Sequence, residues 1–150
     1  MRFALPASAA FVLIGLAGAA GAQSQSFDPI VTRQNGQDLV FAVASDMKRA
    51  VKANEDVKPF ADGAKAISQW ALQFPTLFPP GSDKGHDTKA LPTVWSDRAG
   101  FEKAAATLSD AASKLSAAAK AGDQAAFAER FDAMTKACGA CHKTYKAKTE

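Results

Sequence analysis

Long apolar runs are missing from this chain beyond its first 22 residues, and β-branched residues are too scattered to make strands. The first absence excludes a later membrane span, which needs about 20 apolar residues. The second, with abundant Ala, Lys, Asp and Gln, points to an all-α protein. Charge of one sign is also missing: 18 Lys and Arg face 15 Asp and Glu, interleaved throughout. So balanced a surface argues against nucleic acid or a membrane surface as the main partner. Cysteine is scarce, with two in 150 residues, three positions apart. A disulfide between Cys138 and Cys141 would close too short a loop to restrain the unfolded chain much.

The N-terminus explains the compartment. Arg2, an apolar stretch from Phe11 to Ala17 and the small-residue site Ala20-Gly21-Ala22 form the pattern of a secretory signal, cleaved before Gln23. Residues 1–22 are thus expected to be removed and residues 23–150 to form one soluble domain, exported to the periplasm. Removing the signal takes away one charge, that of Arg2.

Four segments space their apolar residues as helices do. The first follows Asp28-Pro29, a cap and a first-turn proline, and its inner stripe is Ile30, Arg33, Gln37, Val40, Ala44, Met47 and Val51. Two of these, Arg33 and Gln37, are polar. The second runs from near Pro59 to Phe74 with Phe60, Ala64, Ile67, Ala71 and Phe74 on one face. Then FPTLFPPGSDKGHDTKALP, with four prolines and two glycines, predicts a long irregular crossover. A third helix is expected from Thr93 to Ala119, its stripe running through Val94, Arg98, Phe101, Ala105, Leu108, Ala112, Leu115 and Ala119. Ala121-Gly122-Asp123 ends it and caps a fourth, striped by Phe127, Phe131, Met134, Cys138, Cys141 and Tyr145. The expected fold is an antiparallel four-helix bundle with one long crossover between helices 2 and 3. Its many inward Ala and Gly residues imply either close helix packing or room for a group that is not protein.

Cys138-Gly-Ala-Cys141-His142 is the attachment signal for c-type haem. Cysteines at i and i+3 share a helix face, so both thiols reach one edge of a porphyrin, and His142 offers its imidazole to the iron. Two other chemistries use these residues. A thioredoxin-like redox pair belongs at a helix N-terminus in a βαβ setting, whereas this pair sits near a helix C-terminus. A zinc site could recruit Cys138, Cys141, His142 and His86, giving a zinc-stabilised helical binding module, although adjacent Cys141 and His142 are awkward tetrahedral partners. The haem c reading fits the motif, the export signal and the bundle together.

The motif at the extreme C-terminus, Arg33-Gln34 early in the first helix, LFPPGS at the start of the crossover, KALPTVW at its end and the final CGACHKTYK together resemble the class II c-type cytochromes, the cytochrome c prime family, over residues 23–150. That resemblance implies a four-helix bundle with one covalent haem c, often a homodimer packed through helices 1 and 2. It implies Arg33 at a haem propionate, Gln37 facing the open side of the iron, and Trp95, Tyr145 and Lys146 in the haem surroundings. In the family the position of Gln37 is usually apolar, which leaves the iron five-coordinate, or methionine, which fills the sixth position. Where the family commonly has arginine four residues after the histidine, this chain has Lys146, which carries the charge without the planar fork. The expected function is a periplasmic Fe(III)/Fe(II) carrier that exchanges electrons with redox partner proteins and has an open distal site able to bind NO or CO. A dedicated low-spin electron carrier is the alternative within the family. Apart from Gln37 and Arg33 no distal acid–base pair stands out, so no enzyme is expected.

Overall fold

A computed structural model describes residues 27–148 of the chain. The signal read at residues 1–22 lies outside the described residues. Helix α1 (Pro29–Ala53) starts where expected: the Asp28 carboxylate accepts hydrogen bonds from the backbone N–H of Ile30 at 2.8 Å and of Val31 at 3.1 Å. These are two of the donors that a helix start leaves without intrahelical partners. The helix stops at Asn54, which turns left-handed (φ 52°) and donates its N–H back to Ala50 and Val51.

The second helix is shorter than its stripe implies. A 3₁₀ turn at Lys58–Phe60 leads into α2 (Ala61–Gln73), and a second 3₁₀ turn, Phe74–Leu77, follows. Pro75, with no N–H to give, lies inside that tightened turn. The third helix is in two pieces: a single turn, α3 (Thr93–Ser96), and the long α4 (Arg98–Ala121). Asp97 leaves the helical region between them (φ −118°, ψ 57°), and its carboxylate caps α4 through the N–H of Gly100. Gly122, left-handed at φ 71°, ends α4 two residues later than expected, and Asp123 caps α5 (Gln124–Tyr145) through Ala126 N–H at 2.9 Å.

The long helices make the expected bundle, α3 being one added turn. Helix α4 is central, packed along both α2 and α5, while α1 touches its neighbours at fewer places. The core falls into two clusters. One joins Met47, Val57, Ala64, Ile67, Ala112, Leu115, Ala119, Phe127, Phe131 and Met134. The other joins Leu77, Phe78, Val94, Phe101 and Tyr145, with Trp70, Phe74, Trp95 and Cys141 against it. Each large side chain fully buried this way contributes about 1.5–3 kcal/mol. Among the described residues, no helix is long and apolar enough to cross a membrane.

Candidate haem-binding site

The stripe of α5 leads to the site. Phe127, Phe131 and Met134 are buried, but Cys138 and Cys141, which continue the same face, are only half-buried, and His142 stands at the surface. The apolar face runs on past the protein that covers it. Both thiols are free, and burial raises the pKa of each, with the neighbouring Cys138 raising that of Cys141 further. A redox-active pair needs the opposite shift, so the thioredoxin-like reading fails on electrostatics as well as on helix position. What desolvation the His142 ring has, with the charge of Lys146, lowers its pKa and favours the neutral imidazole that a metal requires.

The segment after His142 is clamped. Tyr145 donates its hydroxyl to Asp97 Oδ2 at 2.7 Å, and this bond lifts the phenol pKa to about 12. Thr93 Oγ1 donates to the Thr144 carbonyl at 2.8 Å, Leu91 N–H to that of Tyr145 at 3.0 Å, and Ala147 N–H to that of Lys89 at 2.8 Å. Lys146 pairs with Ala90 in an isolated antiparallel bridge and donates its N–H to the His142 carbonyl at 3.1 Å. A side chain on Gly100 would collide with Asp97 and Tyr145, so a glycine is required where the clamp closes. Tyr145 is thus packed core, edge-on to Phe101 at 5.2 Å, with its hydroxyl spent on Asp97.

Helix α1 supplies the facing wall. Arg33, 3% exposed, is turned to the crossover. Its Nη1 donates to Leu77 O at 2.9 Å and Ser82 Oγ at 3.0 Å, and its Nη2 to Ser82 O at 2.7 Å and Thr88 Oγ1 at 2.8 Å. The guanidinium also lies over the Phe78 ring, 4.2 Å from its centre. All four terminal N–H groups are taken by the crossover, which Arg33 fastens, and Nε–H is left for any further acceptor such as the expected propionate. Gln34 donates to the His86 carbonyl at 2.7 Å, and the His86 ring meets Asp28 Oδ2 at 3.0 Å, although the side chain is exposed as expected of a loop residue. That pairing keeps His86 at the start of α1. Among the described residues no three of His, Cys, Asp and Glu converge as a metal cluster, so the four-ligand zinc set is not assembled.

Gln37 is half-buried, one residue beyond Gly36. A Cβ on Gly36 would collide with the Trp70 indole, so the absence of a side chain there lets α2 press a tryptophan onto α1. Trp70 Nε1 is, among the described residues, the one buried side-chain nitrogen or oxygen with no hydrogen-bond partner. Trp95 differs: it is half-buried, its Nε1 reaches the carbonyls of Phe78 and Pro79, both at 3.2 Å, and its ring stands edge-on to Phe78. The residues present suit a haem c: two free thiols on one face, a neutral imidazole beside them, an aromatic wall and a buried donor still without an acceptor. Reading the stripes missed Trp70. A glycine inside a helical pattern, which costs about 1 kcal/mol relative to alanine, was the signal that something approaches closely there.

Comparison with known proteins agrees with this geometry. A family model described as cytochrome C' matches residues 28–146. A curated cytochrome c' from Rubrivivax gelatinosus is 42% identical over 124 residues, which cover 81% of this chain and 95% of that protein. The crystal structure of cytochrome c' from the same organism superposes with a TM-score of 0.72 at 36% identity, over 79% of this chain and 94% of the other. A ferrous variant of the Alcaligenes xylosoxidans protein with bound NO matches with a TM-score of 0.72 at 30% identity, over 81% and 95% of the two chains. A carbon monoxide-bound variant of that protein matches with the same TM-score at 29% identity and the same coverage.

Proposed function

The chain belongs to the cytochrome c' family of haem c proteins, and from that premise we propose that it is a periplasmic Fe(III)/Fe(II) carrier whose distal site stays open to NO or CO near Gln37. When bound, haem c supplies an iron that takes up or gives up one electron and can accept a further ligand. One observation carries the open site. Met47 and Met134, the methionines of residues 23–150, are both buried in the cluster away from the cysteines, so neither thioether is available as a sixth ligand. The NO and CO complexes of the Alcaligenes xylosoxidans relative support the same reading.

In this proposal Cys138 and Cys141 would hold the haem covalently through their thiols, which are free and half-buried near the end of α5. His142 holds the iron through its imidazole, and the clamp at Tyr145, with Lys146 beside it, fixes where that ring stands. Trp95 and the Phe78 ring keep water from the crossover side. Gln37 would offer an amide to a small ligand bound at the site, a donor where an aliphatic residue would offer none. The role is that of a carrier without substrate turnover, reached by export through residues 1–22.

An absorption spectrum of the matured protein, ferric, ferrous and then with CO, tests this. A broad high-spin ferrous Soret band that moves on CO addition is expected, and Gln37→Leu should change CO affinity while leaving the ferric protein folded. Sharp low-spin bands indifferent to CO would turn the reading to a dedicated electron carrier.

A homodimer through α1 and α2 belongs to the same proposal. Leu39 and Phe41 on α1 and Leu72 on α2 are exposed, Phe41 by 74%, and apolar side chains so open on these two helices suit a second copy. Sedimentation of Phe41→Glu should give a monomer where the parent gives a dimer.

A further inference from the structure

We infer that Trp70 is a haem-binding residue, its indole N–H being the buried donor that holds a haem carboxylate. The inference rests on the haem c reading above and concerns a residue that the motif does not touch. Trp70 lies on α2 against Gly36, between the turn of α1 that carries Arg33 and the position of Gln37. It also packs on the cluster that receives Cys141, so it borders both the wall with Gln37 and the wall with the thioethers. Its ring is 5.9 Å from Phe74, which stands edge-on to Phe78 at 4.9 Å, and Phe78 in turn carries the Arg33 guanidinium. The wall is thus continuous from Arg33 to Trp70.

Two observations divide the polar work along that wall. The four terminal N–H groups of Arg33 are committed to the crossover. The Trp70 N–H, equally removed from solvent, has no protein acceptor. A buried N–H left unpaired is destabilising, so the arrangement makes sense when an acceptor arrives with the ligand. The side-chain acceptors a haem brings are its two carboxylates, and an indole can only donate. Gly36 keeps the ring in place, because any side chain there would drive it off α1.

The test uses the matured protein in a diamagnetic ferrous state, as the CO adduct or as the low-spin ferrous form if CO does not bind. In the ¹H–¹⁵N spectrum the two indole signals are assigned by the loss of one in Trp70→Phe. The Trp70 proton is expected downfield and slow to exchange with solvent. In Trp70→Phe the midpoint potential should fall, because a carboxylate that has lost its donor favours Fe(III), while the CO stretching frequency stays unchanged. Gly36→Ala, which displaces the ring, should lower the potential in the same direction if Trp70→Phe does not mature. An upfield, freely exchanging indole proton would overturn the inference, as would a shifted CO stretch with an unchanged potential, which would make the bound gas the acceptor. A protein that gives no pyridine haemochrome would instead overturn the haem reading itself.

Discussion

At the end of the bundle that holds Met47, Leu115 and Phe127, the core is apolar and closed, with all three side chains 0% exposed. At the other end the packing is aromatic and bordered by polar side chains: Arg33 bound to the crossover, Tyr145 bound to Asp97, Trp70 without an acceptor, and two half-buried thiols. The first end satisfies itself with its own side chains. The second leaves a face of α5 uncovered and a donor unmatched, and what it lacks has the chemistry of a haem. The contrast shows how one helix changes character along its length: α5 is ordinary core through Met134, and from Cys138 onward its apolar face is only half-covered.

Three changes would sharpen that contrast. Leu115→Ala, in the closed end, should cost about 2–5 kcal/mol in urea unfolding, the range for a leucine truncated in a core that cannot collapse around the hole. The ferrous and CO spectra should not change, since the site lies in the other cluster. Arg33→Met should cost less, about 1–3 kcal/mol in all, because water can reach the crossover acceptors once the guanidinium is gone. Its mark is local: amide exchange through residues 78–92 should quicken while Met47 and Leu115 stay protected. The smallest effect is at Asp28. Its pKa lies below the ordinary 3.8, chiefly through the Val31 N–H, with Ile30 N–H and His86 adding to this and desolvation opposing it. A carboxyl whose folded pKa is depressed stabilises above its unfolded value and loses that contribution as pH falls through the folded one. Protection of the first turn of α1 should therefore fade below about pH 3.8 in the parent. Asp28→Asn should show no such dependence.

The helix ends that local chemistry decides were legible in the sequence. Asp28-Pro29 and Ala121-Gly122-Asp123 act within four residues of themselves, and both caps stand where the residues put them. The break at Asp97 was not legible, because Val94 and Phe101 keep their helical spacing across it and the tie that accompanies it comes from Tyr145, 48 positions away. Arg33 divides the same way. Its inward face followed from the stripe, but its partners at Leu77, Ser82 and Thr88 depend on how the crossover folds back. Cys138, Cys141 and His142 stood out because their spacing is itself the signal, and the structure puts both thiols, free and half-buried, near the end of α5. Trp70 did not stand out, since its importance lies in what it fails to touch.

The clamp that joins Thr144 and Tyr145 to Thr93 and Asp97 also closes long loops. Contacts between neighbouring helices close short loops, whereas these ties span 51 and 48 positions, and closing a longer loop costs more chain entropy. They stand at the open end of the α4–α5 pair, where closing costs more chain entropy than near the turn at Gly122. The Cys138–His142 stretch stands beside the longest of these loops. The stretch from Cys138 to His142 is thereby held, through Tyr145 and Asp97, against the far end of α4.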